Sequence, residues 1–377
     1  MMIDVLVTGA GAVGSFAVEY LARRPEVRSI ALVDRDGARA EGIAWRATLG
    51  ALQEGRHVRI EPLALDLTDT FALAEAVARW MPRVVFHAAT LITVPEMARG
   101  LPPEVFETVR AKGMAGFLAA HLALGLSVQK ALGQAAPGAA LITAPFPDFT
   151  NQVLSRTAGP GSGPAPLTGI GNVDNMACEL QAIVAQKLGV SALDVRPMII
   201  AHHSVAEWFQ RSGSAGAVPW QVRVFVDGRD LSGQLDLTAL MAESSARIRA
   251  VPQESRTAAS GVKAVLAALR DDGSFLHGAG PAGLPGGWPI RLWHDRVEVL
   301  DLPGLDMEQG LQTALAGQRK GGIETIAPDG TLVATDACAT MMRALFDVDV
   351  ARLSPAQIPQ TARALRAALS AKIAAAR

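Results

Sequence analysis

The stretch Ile3-Asp4-Val5-Leu6-Val7-Thr8-Gly9-Ala10-Gly11-Ala12-Val13-Gly14 decides the fold. Its first half is a short aliphatic run of the kind a buried strand needs, and its second half spells G-x-G-x-x-G. In such a turn Gly9 bends the chain, Gly11 lets the backbone approach a pyrophosphate, and Gly14 lets the next helix pack closely on the strand. The helix that opens at Ala12 and Val13 offers the partial positive charge of its N-terminus to phosphates. Asp34 stands about twenty residues further on, at the end of the next strand-like run, where a carboxylate can accept both hydroxyls of a ribose. The expected cofactor is therefore a dinucleotide. A carboxylate at Asp34 repels a 2′-phosphate, which favours NAD over NADP, while the neighbouring Arg35 acts in the opposite sense.

Outward from this motif the first 150 residues alternate strand-like and helix-like segments. Strands are expected at Ser29–Asp34, His57–Ala64, Arg83–His87 and Ala139–Thr143, and helices at Ala12–Arg23, through Arg46, at Ala72–Trp80 and along Glu104–Leu132. Short β-branched runs alternating with amphipathic helices predict an α/β fold, a doubly wound parallel Rossmann sheet covered on both faces. The Pro/Gly/Ser stretch Ala158–Pro164 reads as an exposed loop near a boundary. Residues 1–150 are thus expected to form the NAD-binding domain and 151–377 an α+β substrate domain. Within the latter, Pro328-Asp329-Gly330 marks a hairpin turn, and Ala-rich Pro355–Arg377 a terminal helix.

Composition removes several function classes. The 377 residues carry 35 Lys+Arg against 36 Asp+Glu, a net charge of -1, so no basic field recruits nucleic acid or an anionic membrane. No uninterrupted apolar run approaches the ~20 residues of a membrane span, and strand-like sequence from Ile3 leaves no room for a signal peptide, so a cytoplasmic location is expected. Cys178 and Cys338 are far apart and lack Cys/His clustering, so neither a disulfide framework nor a metal site is expected.

The segments Asp66-Leu67-Thr68-Asp69 and Val84-Val85-Phe86-His87-Ala88-Ala89 resemble the short-chain dehydrogenase and nucleotide-sugar epimerase pattern, which works through a Tyr/Lys pair. The single tyrosine, Tyr20, lies on the first helix with no lysine four residues on, which excludes that chemistry. A longer series resembles the lactate/malate dehydrogenase family. It comprises Ala40-Glu41-Gly42-Ile43-Ala44, Pro95-Glu96-Met97-Ala98-Arg99, Gly171-Asn172-Val173-Asp174 and Ile199-Ile200-Ala201-His202-His203. Ala258–Val262 and the hairpin Trp288–Leu302 follow in family order. The resemblance implies an NAD-dependent dehydrogenase acting on CH–OH, with a substrate domain of lactate/malate dehydrogenase type. His203 would be the acid/base, chosen over His202 by strand register. Asp174, or Asn175, would orient it, and Arg99 on a closing loop within Leu91–Leu101 would polarise the carbonyl and bind substrate.

This sequence also departs from that pattern. The family's D-x-x-R places its carboxylate-clamping arginine where Ala177 or Cys178 stands, and its N-P falls on Phe146-Pro147 or Ala144-Pro145. The expected substrate is therefore a hydroxy or oxo acid, or related secondary alcohol, other than plain lactate or malate. Arg256 is either a relocated substrate-binding cation or a surface arginine at a helix start. Two other readings stay open, a catalytically silent NAD-binding regulatory protein and an NAD-dependent glycosidase-like enzyme suggested by Gly169-Ile170-Gly171-Asn172-Val173. The partners expected are a small-molecule substrate and further copies of the chain. A homodimer or homotetramer would close through Ile43, Ala44, Ala47 and Leu49, on the helix where the resembling family packs its subunits.

Overall fold

A computed structural model describes residues 2–376. The opening stretch forms β1 (Val5–Thr8), the turn, and α1 (Ala12–Ala22). There follow β2 (Ser29–Asp34), α2 (Gly37–Gln53), β3 (Arg59–Ala64), α3 (Thr70–Trp80), β4 (Val84–His87), α4 (Val94–Gly100), α5 (Pro103–Lys112), α6 (Leu118–Ala135), β5 (Ala140–Thr143), α7 (Pro147–Thr157) and β6 (Thr168–Gly169). The second half contains α8 (Asn172–Leu188), β7 (Val195–Ile200), α9 (His203–Ser212), β8 (Gln221–Val226), β9 (Arg229–Asp230), α10 (Leu237–Ile248) and α11 (Glu254–Arg270). After these come β10 (Ser274–Ala279), β11 (Gly287–Leu292), β12 (Val297–Val299), α12 (Met307–Lys320), β13 (Ile323–Ile326), β14 (Leu332–Ala334), α13 (Asp336–Phe346), β15 (Arg352–Leu353) and α14 (Ile358–Ala375).

Strands β3-β2-β1-β4-β5-β6 lie parallel in that order, the doubly wound arrangement, and β10, β11 and β12 extend the same sheet antiparallel beyond β6. Alternation along β1 assigns the two faces. Val5 and Val7 pack with α1, α2 and α11, while Leu6 packs with α3 and α6. Edge strand β3 tolerates Pro62, whose missing N–H needs no partner on the outer side.

The expected boundary at residue 150/151 falls inside α7, and the sheet recruits strands from the second half of the chain. The sequence concealed α7 because it begins on a proline after an abrupt turn. The helical run expected over Glu104–Leu132 is broken at Gly113 (φ 128°), whose Cα lies so close to Gly322 that a Cβ would stand 2.6 Å from Gly322 Cα. Residues 91–101, expected as a loop, contain α4. A smaller sheet of β7, β8 and β9 packs with α8, α9 and α10.

Strands β13–β15 and helices α13 and α14 pack back against the α4–α7 region. Residues Met114–Ala135 are long and apolar enough to cross a membrane, contrary to expectation, yet 83% of the apolar window is buried inside the fold. Of the four residues expected at a subunit interface, Ile43, Ala44 and Ala47 are buried within the chain. Besides Leu49, the large apolar residues α2 exposes are Trp45 and Leu52.

Candidate active site

The glycine turn builds a cradle. A Cβ on Gly14 would stand 1.9 Å from Gly9 O, and one on Gly9 would stand 2.8 Å from Ala89 N, so both positions exclude side chains. At Gly11, the N-cap of α1, a Cβ would meet nothing within 4 Å, and no side chain caps the helix. That leaves the N-terminal amides of α1 open to an anion. Beside them is a cavity of about 310 Å³ whose lining includes Gly9, Gly11, Asp34, Asp66, Thr90 and Arg366. Asp34 Oδ2 accepts from Ala10 N at 2.7 Å, so the carboxylate and the glycine turn form one unit. The cavity, the open helix end and the carboxylate fit a dinucleotide.

A second feature is a buried cluster at the C-terminal side of the sheet, which holds the expected His203 with a partner not foreseen from the sequence. His203 Nδ1 is 3.2 Å from Asp148 Oδ2. Asp148 sits in the first turn of α7, which starts at Phe146 in the left-handed region (φ 44°, ψ 52°). That conformation is costly for an aromatic residue before proline, on the order of 1–3 kcal/mol. It is over-determined by Thr150, whose Oγ1 donates to Pro145 O at 2.9 Å, and by the T-shaped contact of Phe146 with His203, centroids 5.1 Å apart. Phe149 packs on both histidines, with centroids 4.8 Å from His202 and 5.5 Å from His203.

Burial lowers the proton affinity of His203, but its hydrogen bond to Asp148 and the charges of Asp148 and Glu207 raise the net pKa above 6.5. Burial would raise the pKa of Asp148, yet the same hydrogen bond and the two histidines hold it below the usual carboxylate value. His202 is pushed down to about 3 by burial and by its neighbour His203, and is therefore neutral. His202 and His203 do not point to opposite faces of a strand as expected. The strand ends at Ile200, His202 caps α9, His203 is its first residue, and the two rings lie 4.3 Å apart. Ligand atoms of Asp148, His202 and His203 lie within 4.8 Å of one another, a donor set usable by a divalent ion where no metal site was expected.

The cluster and the cavity are linked. Thr90, which lines the cavity, bonds His121 (Oγ1 to Nδ1, 2.9 Å), the His121 ring lies 4.5 Å from Phe146, and Phe146 lies against His203.

Three expected roles need correction. Asp174 does not back His203. It is ion-paired with Lys263 and accepts from His277 N at 3.3 Å, because α8 turns its first-turn carboxylate toward α11 and β10. Asn175 is no substitute, since its Nδ2 reaches Thr257 Oγ1 at 3.5 Å. Arg256 is not a free cation, because its Nη1 is held 2.5 Å from the buried Glu179 Oε1. Arg99 is exposed on α4 and lines a surface hollow with Ser370 and Ile373 of α14, so it does not join the His203 cluster.

Residues 5–99 match the family model described as the saccharopine dehydrogenase NADP-binding domain. No curated protein matches the chain. Among solved structures, malate dehydrogenase from Plasmodium falciparum in complex with NADH is similar at 15% identity and TM-score 0.57, covering 85% of this chain and 97% of that one. The Picrophilus torridus malate dehydrogenase in its apo form gives 18% and 0.60 over the same shares. The Cryptosporidium parvum lactate dehydrogenase, complexed with lactic acid and nicotinamide adenine dinucleotide, gives 19% and 0.54, covering 85% and 98%. The chain thus opens on a Rossmann domain similar to that model and has the fold of the malate and lactate dehydrogenases.

Proposed function

We propose that this chain is a pyridine-nucleotide oxidoreductase that interconverts a secondary alcohol and its carbonyl compound. The observation that carries the reading is the continuous path from the cofactor cavity at Thr90, through His121 and Phe146, to the His203–Asp148 pair. Gly9–Gly14 and Asp34 would hold the dinucleotide, which supplies a hydride acceptor or donor when bound. Asp148 fixes the tautomer of His203 by accepting a hydrogen bond from Nδ1–H, leaving Nε2 to receive the hydroxyl proton during oxidation and return it during reduction. The charge of Asp148 stabilises the resulting imidazolium, and the aromatic wall of Phe146 and Phe149 keeps water from the pair.

The substrate in this reading is larger than lactate or malate and is not gripped by an arginine clamp. Among the described residues Asp148 pairs with His203, His202 with Ser204 and Arg256 with Glu179, so no arginine is paired within the cluster. Turnover of NADH and NADPH with a panel of ketones and 2-oxo acids tests it. Dinucleotide binding with no turnover of any carbonyl compound would favour a silent regulatory protein instead.

The cofactor in our reading is NAD, supported by Asp34 in the cavity wall. A second reading, NADP, is favoured by Arg35 and Arg39 in the same wall and by the matched model's description. Competitive binding of NADH and NADPH to the parent and to Arg35→Ala separates the two. We further propose a homodimer closed on the exposed stripe Trp45, Leu49 and Leu52 of α2. A monomeric mass by light scattering at micromolar concentration would remove it.

A further inference from the structure

The C-terminal helix is the part of the molecule that the dinucleotide reading leaves without a task. Ile358, Ala362, Leu365 and Leu369 follow one another at helical spacing and are fully buried in the cluster that also holds Ile92, Met97 and Leu101 around α4. This anchorage carries Arg366, which follows Leu365, to the rim of the dinucleotide cavity, whose wall also contains Gly9, Gly11 and Asp34. There Arg366 Nη1 is 2.5 Å from Glu96 Oε1 on α4 and donates to Leu91 O at 3.4 Å.

Three arginines line this cavity: Arg35, Arg39 and Arg366. Three carboxylates accompany them: Asp34, Asp66 and Glu96. Asp34 and Asp66 have fixed partners in the surrounding backbone, Ala10 N and Asp36 N for the first and Thr68 N for the second. Arg39 is paired with Asp36. Among the described residues Glu96 has no such backbone partner, and both members of the Arg366–Glu96 pair are partly exposed. An ion pair of this kind is weak, because water competes for both charges. A phosphate competes well for the same guanidinium, since it presents more charge and accepts two parallel hydrogen bonds.

We propose that Arg366 is a phosphate-binding residue of the dinucleotide cavity, supplied by the C-terminal helix, and that Glu96 competes with the phosphate for it. The proposal rests on the dinucleotide reading. When phosphate takes Arg366, Glu96 turns to solvent and α4 loses a tie to α14, so cofactor occupancy is coupled to the mobility of α4.

The test is calorimetric titration of the full chain with NADH, NADPH, 5′-ADP, 2′,5′-ADP and adenosine, in the parent, Arg366→Gln, Arg366→Lys and Glu96→Gln. Arg366→Gln should weaken the phosphorylated ligands roughly ten- to a hundredfold, leave adenosine unchanged, and be partly rescued by lysine. Glu96→Gln should tighten the same ligands by up to about fivefold. Loss confined to NADPH and 2′,5′-ADP would put Arg366 on the 2′-phosphate, and loss that extends to NADH and 5′-ADP would put it on the pyrophosphate. Either result supports the proposal.

Both Gln variants break the same ion pair, so a purely structural role would move them in the same direction, and that outcome overturns the proposal. Unchanged affinity in Arg366→Gln overturns it as well. If the parent binds none of the phosphorylated ligands, the dinucleotide reading itself fails and the proposal with it.

Discussion

His203 Nδ1 and Asp148 Oδ2 meet at 3.2 Å in a space from which solvent is almost excluded, His203 being 5% and Asp148 3% exposed. The two residues are 55 positions apart and come from helices that follow different strands. A buried carboxylate with one oxygen on an imidazole is a strong tautomer lock, because an unpaired charge at that depth would be costly. Asp148 Oδ1 and His202 Nε2 have no partner among the described residues, so the cluster retains hydrogen-bonding capacity for a substrate.

Asp148→Asn should shift the pH profile of alcohol oxidation. His203 must be neutral to accept a proton, so the rate rises with pH through its pKa, which Asp148 holds above 6.5. Without that charge, burial dominates and the rising limb moves to lower pH. The mutant should also lose about 10²–10⁴ in kcat, as should His203→Asn, with dinucleotide affinity unchanged. An unshifted profile in Asp148→Asn would show that the pair does not carry the proton.

The glycines of the turn predict opposite responses to one methyl group. Gly14→Ala puts a carbon 1.9 Å from Gly9 O, so α1 must move off β1, and thermal stability should fall by several degrees. Gly11→Ala meets nothing within 4 Å and should leave the melting temperature unchanged while weakening dinucleotide binding about tenfold, because the methyl occupies the ligand's approach. Equal melting losses in both variants would contradict this division.

The contrast between these two sites shows what the sequence disclosed. The glycine turn, Asp34 and the alternation of strands and helices were legible because each depends on neighbours within a few residues. The nine-stranded order could not be read beyond β5, since β6 is two residues long and β10–β12 join it from more than a hundred residues away. His203 was legible as one of two adjacent histidines at a strand end. Its partner was not, because Asp148 reaches it through the abrupt turn at Phe146, and Asp174 has the more regular helical setting yet faces Lys263. The one available signal was Pro145-Phe146-Pro147-Asp148, a carboxylate set immediately after the turn that ends β5.

Acid should destabilise this protein before its carboxylates titrate. Burial holds His87, His121 and His277 down to about 4 and His202 to about 3, against 6.5 when unfolded. Between pH 6.5 and 4 the unfolded chain therefore binds protons that the folded chain refuses, so stability falls as pH drops through that window. Each histidine that the fold keeps neutral therefore works against stability as the pH falls below 6.5, while His203, whose pKa is raised, acts in the opposite sense, so four such groups stand against one. Urea midpoints at pH 7.5 and 5 should differ accordingly, with a shallower pH dependence in His87→Gln. Equal midpoints would show that these histidines are already protonated, or exposed, in the fold.

Arg256→Ala should damage the fold and spare the substrate. Glu179 is 6% exposed, with Oε2 accepting from Ser245 Oγ at 2.9 Å and Oε1 from Arg256 Nη1. Removing the guanidinium leaves a buried carboxylate with a hydroxyl as its remaining partner, a change that costs about 3 kcal/mol when one member of a buried pair is deleted. Adding Glu179→Gln to Arg256→Ala removes the stranded charge, so the double variant should recover much of that loss, which urea denaturation would measure as non-additivity. KM for whichever carbonyl compound is reduced should stay within about twofold of the parent in both variants. A tenfold rise in KM with unchanged stability would mean that Arg256 leaves Glu179 to hold a substrate anion, and the relocated-cation reading would then be right.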